Sequence, residues 1–338
     1  MAKTSFVFFV RFMLGGLVAL FAANAIASVA HLRWEHVPNH SYLNVADGFR
    51  ASENAVDVVF FGTSATRNSV VPELMSERLS TALNRKVECW NLAMPNSTPE
   101  VFSRLAEIVF AKDRPQFLVL EAAPMMWDAD RRTHTATEVF WRWFADLSDL
   151  ARYPKQLNGR KLRETLRGMD WGMEALWIRS GILMQGELAG SHPTGPFGGV
   201  YELDQLDIPV PEDRLLSNTS HQREEDRVSM YRTSQVWRNE LHKIAETCKA
   251  NGVTLLLLHQ PIYKDILPMF KDGVYEDYMT WITTAAQEEG VEFINLQDQW
   301  VMENEQYFRD YIHYSPRGAA WFSTRLASEI LLPRLQNQ

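Results

Sequence analysis

The sequence predicts an α/β protein with a central parallel sheet of about five strands and helices on both faces of that sheet. Short apolar runs recur along the chain, and a helical segment separates each run from the next. Continuous apolar strands that alternate with helices are typical of a parallel sheet that is buried on both faces. The size is also suitable, because 338 residues with 46% hydrophobic and 22% charged side chains can bury a substantial core.

The strands and helices can be placed in order along the chain. The predicted strands are Val56–Phe61, Lys86–Leu92, Phe117–Ala122, Val253–His259 and Val291–Asn295. Pro72 is expected to open the helix that follows the first strand and runs to about Leu83, since proline is favoured in the first turn of a helix. Asn251-Gly252 is expected to end the helix before the fourth strand. The last helix is expected to begin after Pro316 and to run to about Leu332.

The alternation of strands and helices lapses between about residues 127 and 225. This stretch predicts a mostly helical insertion, followed by irregular coil, between strands three and four. Its tryptophans are most simply the core of that insertion, and a sugar-stacking or membrane-facing surface is the alternative. We therefore expect an N-terminal segment at 1–32 and a single α/β domain at 33–338 that carries the insertion.

The N-terminal segment has the composition of a membrane anchor. Phe12 to Ala30 contains no charged residue, and as a helix this stretch would span roughly 28 Å, close to the hydrocarbon thickness of a bilayer. Lys3 and Arg11 precede it, so the N-terminus is expected in the cytoplasm and the rest of the chain outside. Small residues at 25–27 and 28–30 would also suit cleavage of a signal peptide. The apolar run is longer than a usual signal core, which favours a retained anchor.

Charge and motif content exclude several function classes. A net charge of −8 argues against a nucleic-acid partner, because phosphate binding needs a basic face. No glycine-rich nucleotide loop is present. His36 and His40 are four residues apart, but Pro38 lies between them and no carboxylate-rich zinc pattern accompanies them, so a metal site is not expected. We expect no cofactor.

Cys89 and Cys248 are the only cysteines. They could pair in an oxidising compartment. One lies in a predicted strand and the other in a distant predicted helix, which favours two buried thiols that behave as small hydrophobic side chains.

A serine follows the first predicted strand directly. In "VDVVFFGTSATRNS" the apolar run ends at Gly62-Thr63-Ser64, and a helical pattern begins there. A plain turn serine is the simplest interpretation. Ligands of parallel sheets, however, bind beyond the carboxyl ends of the strands, which is where Ser64 is expected to lie. His259 ends the fourth strand at the same edge, and we expect a structural role for it, with a substrate contact as the alternative.

Asp310 and His313 stand three residues apart in "FRDYIHYSPRGAAWFS", just before the last helix. A serine hydroxyl becomes a strong nucleophile when an imidazole takes its proton, and a carboxylate must orient that imidazole. The alternative is that Asp310 caps the last helix and that His313 lies on the surface. Taken with Ser64, in the order Ser…Asp…His, the pattern favours a catalytic triad.

These motifs resemble those of the SGNH, or GDSL-like, hydrolase superfamily, from about Asp57 to the C-terminus apart from the insertion. Gly62-Thr63-Ser64 stands where that family has Gly-Asp-Ser, and "DYIHYSPRGA" is similar to its last block. The resemblance implies a flavodoxin-like three-layer sandwich, with Ser64 as nucleophile and with Asp310 and His313 in the other triad positions. "WNLAMPNSTPE" resembles the second block and implies that Asn91 and Asn96 belong to the oxyanion and substrate-binding region.

The third block of the family is missing. The sequence after strand three is "EAAPMMWD", with Met125 near the position of an asparagine that donates to the oxyanion. In this respect the chain is more similar to a membrane-anchored subgroup, which includes the D-alanyl transfer protein and the alginate and peptidoglycan O-acetyltransferases.

That resemblance implies a single-pass protein of the bacterial inner membrane, with its catalytic domain facing the periplasm or the cell exterior. It implies acyl transfer to an exported or cell-surface polysaccharide, with a membrane-bound O-acyltransferase as the partner that donates the acyl group. A carbohydrate or lipid esterase is the first alternative. A non-catalytic glycan-binding or assembly protein with the same fold is the second.

Overall fold

The computed structural model describes Gly15, Phe49 and residues 52–94, 97–127, 232–270, 273–300 and 305–337. All of these except Gly15 belong to one compact unit. Within these ranges no helix is both long enough and apolar enough to cross a bilayer. The predicted anchor apart from Gly15, the predicted insertion beyond Trp127, and Asn96 lie outside the described residues.

The central sheet is parallel, as predicted. Its five strands are β1 (Val58–Phe61), β2 (Cys89–Asn91), β3 (Phe117–Glu121), β4 (Thr254–His259) and β5 (Glu292–Asn295). Their order across the sheet is β2-β1-β3-β4-β5. The chain therefore leaves β1 toward one edge, returns, and continues on the other side of β1 with β3. This reversal creates a topological switch point between β1 and β3, where the loops that follow the two strands diverge.

Both faces of the sheet are buried. Side chains alternate between the faces of a strand, so Val58 and Phe60 share one face while Val59 and Phe61 share the other. Val58 and Phe60 belong to a large apolar core that continues to the C-terminal helices. Phe61 stacks on Phe102 of the opposite layer, with ring centroids 5.8 Å apart. The continuous apolar strands of the sequence are thereby explained.

Along the described part of the chain, helices alternate with the strands. They are α1 (Ser64–Ser69), α2 (Pro72–Leu83), α3 (Pro99–Lys112), α4 (Gln235–Ala250), α5 (Val274–Glu289), α6 (Pro316–Arg325) and α7 (Leu332–Gln336). Short 3-10 turns occur at Pro124–Met126, Lys264–Met269 and Glu305–Tyr307. α3 packs against α4, and α6 packs against α1 and α2.

Element boundaries agree with the predictions most closely where proline or glycine sets them. α2 begins at Pro72 and ends at Leu83, as expected. β1 and β2 begin two and three residues later than predicted, and β2 is only three residues long. The last helical stretch also differs, because a π-helical turn at Leu326–Leu331 joins α6 to α7. The turn precedes Pro333, whose missing N–H and bulky ring disrupt regular α-helical bonding.

The two cysteines are free and buried, as predicted. Cys89 lies in β2 and Cys248 in α4. Burial raises the pKa of each thiol to about 12. Neither thiol therefore has the properties of a reactive cysteine.

Candidate active site

Ser64, His313 and Asp310 come together at the carboxyl edge of the sheet. The Oγ of Ser64 lies 2.8 Å from Nε2 of His313, across 249 residues of sequence. Nδ1 of His313 lies 2.7 Å from Oδ2 and 2.9 Å from Oδ1 of Asp310. When Nδ1 carries the proton and donates it to the carboxylate, Nε2 has a free lone pair that faces the serine hydroxyl. The arrangement can remove a proton from Ser64.

The position of Ser64 follows from the turn between β1 and α1. Thr63 caps α1, with its Oγ1 accepting the N–H of Ala65 at 3.3 Å. Ser64 is then the first residue of the helix and lies at the switch point between β1 and β3. The described residues supply acceptors for the backbone N–H groups of 63, 65, 66 and 67. They supply none for the N–H of Ser64, which can therefore stabilise an oxyanion.

The glycine of this turn is required by packing. A Cβ on Gly62 would lie 2.2 Å from Oγ1 of Thr66 and 2.6 Å from Oε2 of Glu121. Any larger residue would push β1 away from the turn or displace Glu121. Close approach of β1, α1 and the end of β3 explains why glycine precedes the Thr-Ser pair.

Glu121 is a site residue that the sequence analysis missed. Its buried carboxylate accepts hydrogen bonds from the backbone and the hydroxyl of both Thr63 and Thr66. The sequence "FLVLEA" contains a feature that could have indicated this residue: one acidic side chain ends an otherwise apolar strand at the predicted ligand-binding edge.

Asp310 and His313 lie in a tight turn, not at the helix entrance itself. Phe308 and Tyr314 form an antiparallel bridge, and the N–H of Arg309 donates to the carbonyl of His313 at 2.8 Å. Oδ1 of Asp310 accepts the N–H groups of Ile312 and His313, at 3.1 and 2.8 Å. The same carboxylate therefore holds both the backbone of the turn and the imidazole ring. The three-residue spacing is the consequence of this turn.

Ser315 caps the last helix, so the alternative role considered for Asp310 is excluded. Oγ of Ser315 accepts the N–H of Gly318 at 3.1 Å. Gly318 is needed here because a Cβ would lie 1.9 Å from the carbonyl oxygen of Tyr307. The start of α6 therefore packs directly against the end of the 3-10 turn Glu305–Tyr307, which precedes the Asp310–His313 turn.

Two contacts attach this turn to the end of β4. The hydroxyl of Tyr314 donates to the carbonyl of Pro261 at 2.6 Å. The N–H of Tyr263 donates to the carbonyl of Tyr311 at 3.0 Å. Farther along α6, Oγ of Ser323 donates to the carbonyl of Ser69 at 3.1 Å, at the end of the helix that begins with Ser64. α6 therefore contacts the segment of His313 and the segment of Ser64.

The charge state of Asp310 suits its position. Burial raises the pKa of its carboxyl, but the hydrogen bond and charge of His313, together with the N–H groups of His313 and Ile312, outweigh burial and place the pKa below its ordinary value. Asp310 is consequently ionised at neutral pH. The side chains of His313 and Asp310 are 19% and 38% exposed, so solvent reaches the site.

Asn91 does not have the role predicted for it. Its side chain is fully buried, and Nδ2 donates to the carbonyls of Thr66 and Val70 at 3.2 and 3.1 Å. Its Oδ1 accepts the N–H of Ala93 at 3.1 Å. Because the backbone uses both its donors and its acceptor, Asn91 supports the helix of Ser64 from beneath and is not a donor to an oxyanion or a substrate. Asn96 lies outside the described residues, and Met125 lies in the 3-10 turn after β3.

His259 is buried, as expected for a structural histidine, but among the described residues only one of its two ring nitrogens has a hydrogen-bond partner. It is fully buried, and its Nε2 lies 2.8 Å from the hydroxyl of Tyr275. Burial lowers the pKa of the imidazole to about 4. His259 is therefore neutral at physiological pH and packs among Tyr275 and Tyr278. In the described part of the chain, no three His, Cys, Asp or Glu side chains are grouped so that they could hold a metal ion.

Comparison with known proteins gives matches among solved structures. No family model matches the chain, and no curated protein matches it. A GDSL-like lipase from Bacteroides thetaiotaomicron is 13% identical with a TM-score of 0.40, and the match covers 87% of this chain and 98% of that one. A lipase/acylhydrolase from Enterococcus faecalis is 13% identical with a TM-score of 0.40, covering 81% and 95%. An acetyl-xylooligosaccharide esterase from Geobacillus is 12% identical with a TM-score of 0.37, covering 81% and 94%.

Identities of 12–13% and TM-scores of 0.37–0.40 do not assign a reaction to this chain. The chemistry of the site follows from its own side chains. The chain resembles the SGNH, or GDSL-like, hydrolases in its sequence motifs, and one of the three matched structures is itself described as a GDSL-like lipase.

Proposed function

We propose that this protein is a serine acyl-transfer enzyme that works through an acyl ester on Ser64. The observation that carries the proposal is the pair of hydrogen bonds that links Ser64 to His313 and His313 to Asp310, at 2.8 and 2.7 Å. A serine that serves only a turn needs no imidazole and carboxylate in series. A serine, an imidazole and a carboxylate in series are what nucleophilic catalysis at neutral pH requires.

The reaction proceeds in two half-reactions. Oγ of Ser64 attacks the carbonyl carbon of an acyl ester while its proton moves to Nε2 of His313. The tetrahedral intermediate collapses, the leaving alcohol takes that proton, and the acyl group remains on Ser64. An acceptor hydroxyl then attacks the acyl-serine and gives its proton to His313, which returns it to Ser64. Asp310 stabilises the imidazolium in both halves, and the N–H of Ser64 stabilises the oxyanion.

The acceptor that we propose is a hydroxyl of an exported or cell-surface polysaccharide. Two sequence features support it: the apolar Phe12–Ala30 segment, which would hold the enzyme at the bacterial inner membrane with its catalytic domain in the periplasm or outside, and the resemblance to anchored O-acetyltransferases. On this proposal a membrane-bound O-acyltransferase supplies the acyl group. Hydrolysis to a free acid is the alternative outcome of the same chemistry.

Labelling with a fluorophosphonate probe tests the nucleophile. Full-length protein in detergent should be labelled at Ser64, and peptide mass spectrometry should locate the adduct. Ser64→Ala should not be labelled, whereas Ser328→Ala, at an exposed position of the π-helical turn, should be labelled like the wild type. Absence of labelling in folded wild-type protein would reject the enzyme and favour the non-catalytic glycan-binding protein.

An esterase is the second candidate, and the exposure of His313 and Asp310 favours it. Water can reach the imidazole of a partly open site and can replace the acceptor hydroxyl. With an activated acetyl ester and a soluble oligosaccharide, mass spectrometry should find acetylated oligosaccharide if transfer prevails. Acetate alone, at every acceptor concentration, would assign the protein as an esterase.

The membrane attachment is tested separately. N-terminal sequencing of protein isolated from membranes should begin at or near Met1 if the apolar segment is retained. A mature N-terminus near Ser28 or His31 would mean that the segment is a cleaved signal peptide, and would weaken the proposal of a membrane-bound donor.

A further inference from the structure

Glu121 lies beside the turn that carries Ser64. β1 and β3 are neighbours, with Phe61 opposite Leu120, so the residues that follow each strand leave the sheet side by side. Glu121 is the last residue of β3 and is only 3% exposed. Its carboxylate points to the first turn of α1, as its contacts with Thr63 and Thr66 show.

Four donors from two residues surround this carboxylate. Oε2 accepts the N–H of Thr63 at 2.6 Å, the N–H of Thr66 at 3.3 Å and the hydroxyl of Thr66 at 2.7 Å. Oε1 accepts the hydroxyl of Thr63 at 2.9 Å. An ionised carboxylate is a pure acceptor with about four lone-pair positions, so it matches this set of donors.

In the part of the chain that the structure describes, the polar contacts of the Glu121 carboxylate are these hydrogen bonds. Among the described residues, Glu121 forms no ion pair with an arginine, lysine or histidine. A buried carboxylate without a cation is costly unless its hydrogen bonds are short and well placed. The donors are therefore held in definite positions relative to the carboxylate, and so is the backbone that carries them.

The bonds divide the N–H groups of the turn into two sets. Glu121 uses the N–H groups of Thr63 and Thr66, and the capping hydroxyl of Thr63 uses that of Ala65. The N–H of Ser64 lies between them and is left for the reacting carbonyl. Gly62, which has no space for a Cβ against Thr66 and Glu121, allows the carboxylate to come this close.

We propose that Glu121 is a positioning residue for the nucleophile: through Thr63 and Thr66 it sets the orientation of the Ser64 hydroxyl and leaves the Ser64 N–H as the oxyanion donor. This inference rests on the proposed function, since it assigns a role within the same site. It predicts that loosening the carboxylate slows the chemical step and affects binding of the reagent much less, because Glu121 acts on Ser64 and not on the substrate.

A pair of substitutions at Thr66 tests the inference. Thr66→Val keeps the shape of the side chain but removes the hydroxyl that donates to Glu121, whereas Thr66→Ser keeps the hydroxyl. The measurement is the rate of fluorophosphonate labelling as a function of probe concentration, which separates the maximal rate from the half-saturating concentration. Thr66→Val should lower the maximal rate about tenfold or more, since displacements near 1 Å at a reacting group cost up to a hundredfold. Thr66→Ser should stay within about threefold of the wild type, and in both variants the half-saturating concentration should change less than the maximal rate.

Glu121→Gln is the second variant. Its amide nitrogen is a donor and cannot accept the N–H groups or hydroxyls that the carboxylate accepts. It should slow labelling at least as much as Thr66→Val. Leu335→Ala, in the buried face of α7, serves as the control for lowered stability, and below its melting temperature it should be labelled at the wild-type rate. Circular dichroism confirms that each variant is folded at the assay temperature.

The outcomes separate the two proposals. If folded wild-type protein is not labelled, the proposed function fails. If the wild type is labelled and folded Thr66→Val and Glu121→Gln are labelled at the wild-type rate, the function stands and the role of Glu121 is overturned. A loss that Leu335→Ala shares, or one that Thr66→Ser does not rescue, would assign Glu121 to stability alone.

Discussion

At the scale of single residues, Ser64, His313 and Asp310 form one chain of hydrogen bonds. In the mechanism that we propose, the proton of Ser64 moves along this chain to Nε2 of His313, and Asp310 stabilises the resulting imidazolium. Residues that act in series lose their effect together when any one of them is removed. Substitutions at these positions are therefore not expected to add.

Ser64→Ala and His313→Ala should each abolish turnover of an activated acetyl ester, and the double variant should be no worse than either single variant. Ser64 is only partly buried and α1 retains its Thr63 cap, so the melting temperature of Ser64→Ala should remain close to that of the wild type. Steady-state kinetics and thermal melts provide the check. Additive losses, or full activity of Ser64→Ala, would contradict the mechanism.

Asp310→Asn should lower activity about a hundredfold or more, because an amide cannot stabilise the imidazolium and can select the wrong tautomer of His313. Its Oδ1 can still accept the N–H groups of Ile312 and His313, so the turn should persist. Turnover together with near-ultraviolet circular dichroism distinguishes lost chemistry from lost structure. Activity equal to that of the wild type would remove Asp310 from the mechanism.

At the scale of elements, the conformation of the turn from β1 to α1 depends on close packing of three segments. Gly62 directly follows β1, Thr66 lies in α1, and Glu121 ends β3. Asn91, at the end of β2, holds the carbonyls of α1 from below. Residues at or just after the ends of the three neighbouring strands β2, β1 and β3 therefore hold the turn that carries Ser64.

Gly62→Ala should lower both the free energy of unfolding, by about 1–3 kcal/mol, and the rate of fluorophosphonate labelling, because a Cβ overlaps Thr66 and Glu121. Gly290→Ala is a suitable control. It has open space but a φ of 65°, so it should cost about 1–2 kcal/mol through backbone strain without changing the rate of labelling. Chemical denaturation and labelling at one temperature compare the two variants. Equal rates in both would mean that the Gly62 contact does not affect Ser64.

At the scale of the whole molecule, the strand order β2-β1-β3-β4-β5 places the site. The switch point lies between β1 and β3, and Ser64 and Glu121 follow or end these two strands. The C-terminal turn of Asp310 and His313 reaches the same edge through its contacts with the segment after β4. Sequence-distant residues meet because the carboxyl ends of parallel strands share one edge.

Buried His259 makes the stability of the whole domain depend on pH. In the unfolded chain its imidazole takes up a proton near pH 6.5, whereas burial lowers the pKa in the folded protein to about 4. The unfolded state therefore binds more protons between these values, and stability falls as the pH falls from 6.5 to 4. The contribution is about 3 kcal/mol across this window, at about 1.4 kcal/mol per pH unit.

His259→Gln should remove that part of the pH dependence while an amide remains to bond the hydroxyl of Tyr275. Denaturant unfolding at pH 7, 6, 5 and 4 measures it as the difference between wild type and variant, which cancels the carboxylates common to both. The difference should shift in favour of the variant as the pH falls. A constant difference would show that His259 does not titrate in this range.

Much of the fold could be predicted from the sequence. Apolar strands alternating with helices lead to a parallel sheet because only a sheet covered on both faces buries such strands. Pro72 and Pro316 begin their helices because proline needs no N–H partner in the first turn. Ser64 and the Asp310–His313 pair could be proposed from the sequence because each lies in a short motif of adjacent residues, and the structure brings them within hydrogen-bond distance.

The tertiary structure decided what local sequence does not contain. Asn91 was predicted from its motif to belong to the oxyanion and substrate-binding region, but the carbonyls of Thr66 and Val70 accept both hydrogen bonds of its amide. Glu121 looks in the sequence like the charged end of a strand. Only the neighbouring turn, 55 to 58 residues earlier in the chain, makes it a buried carboxylate with four donors. Hydrophobic periodicity is a property of residues that are close in sequence, so it can be recognised in the sequence alone. The partner of a buried polar group depends on which strands are neighbours, and the order of the strands is determined only when the sheet is assembled.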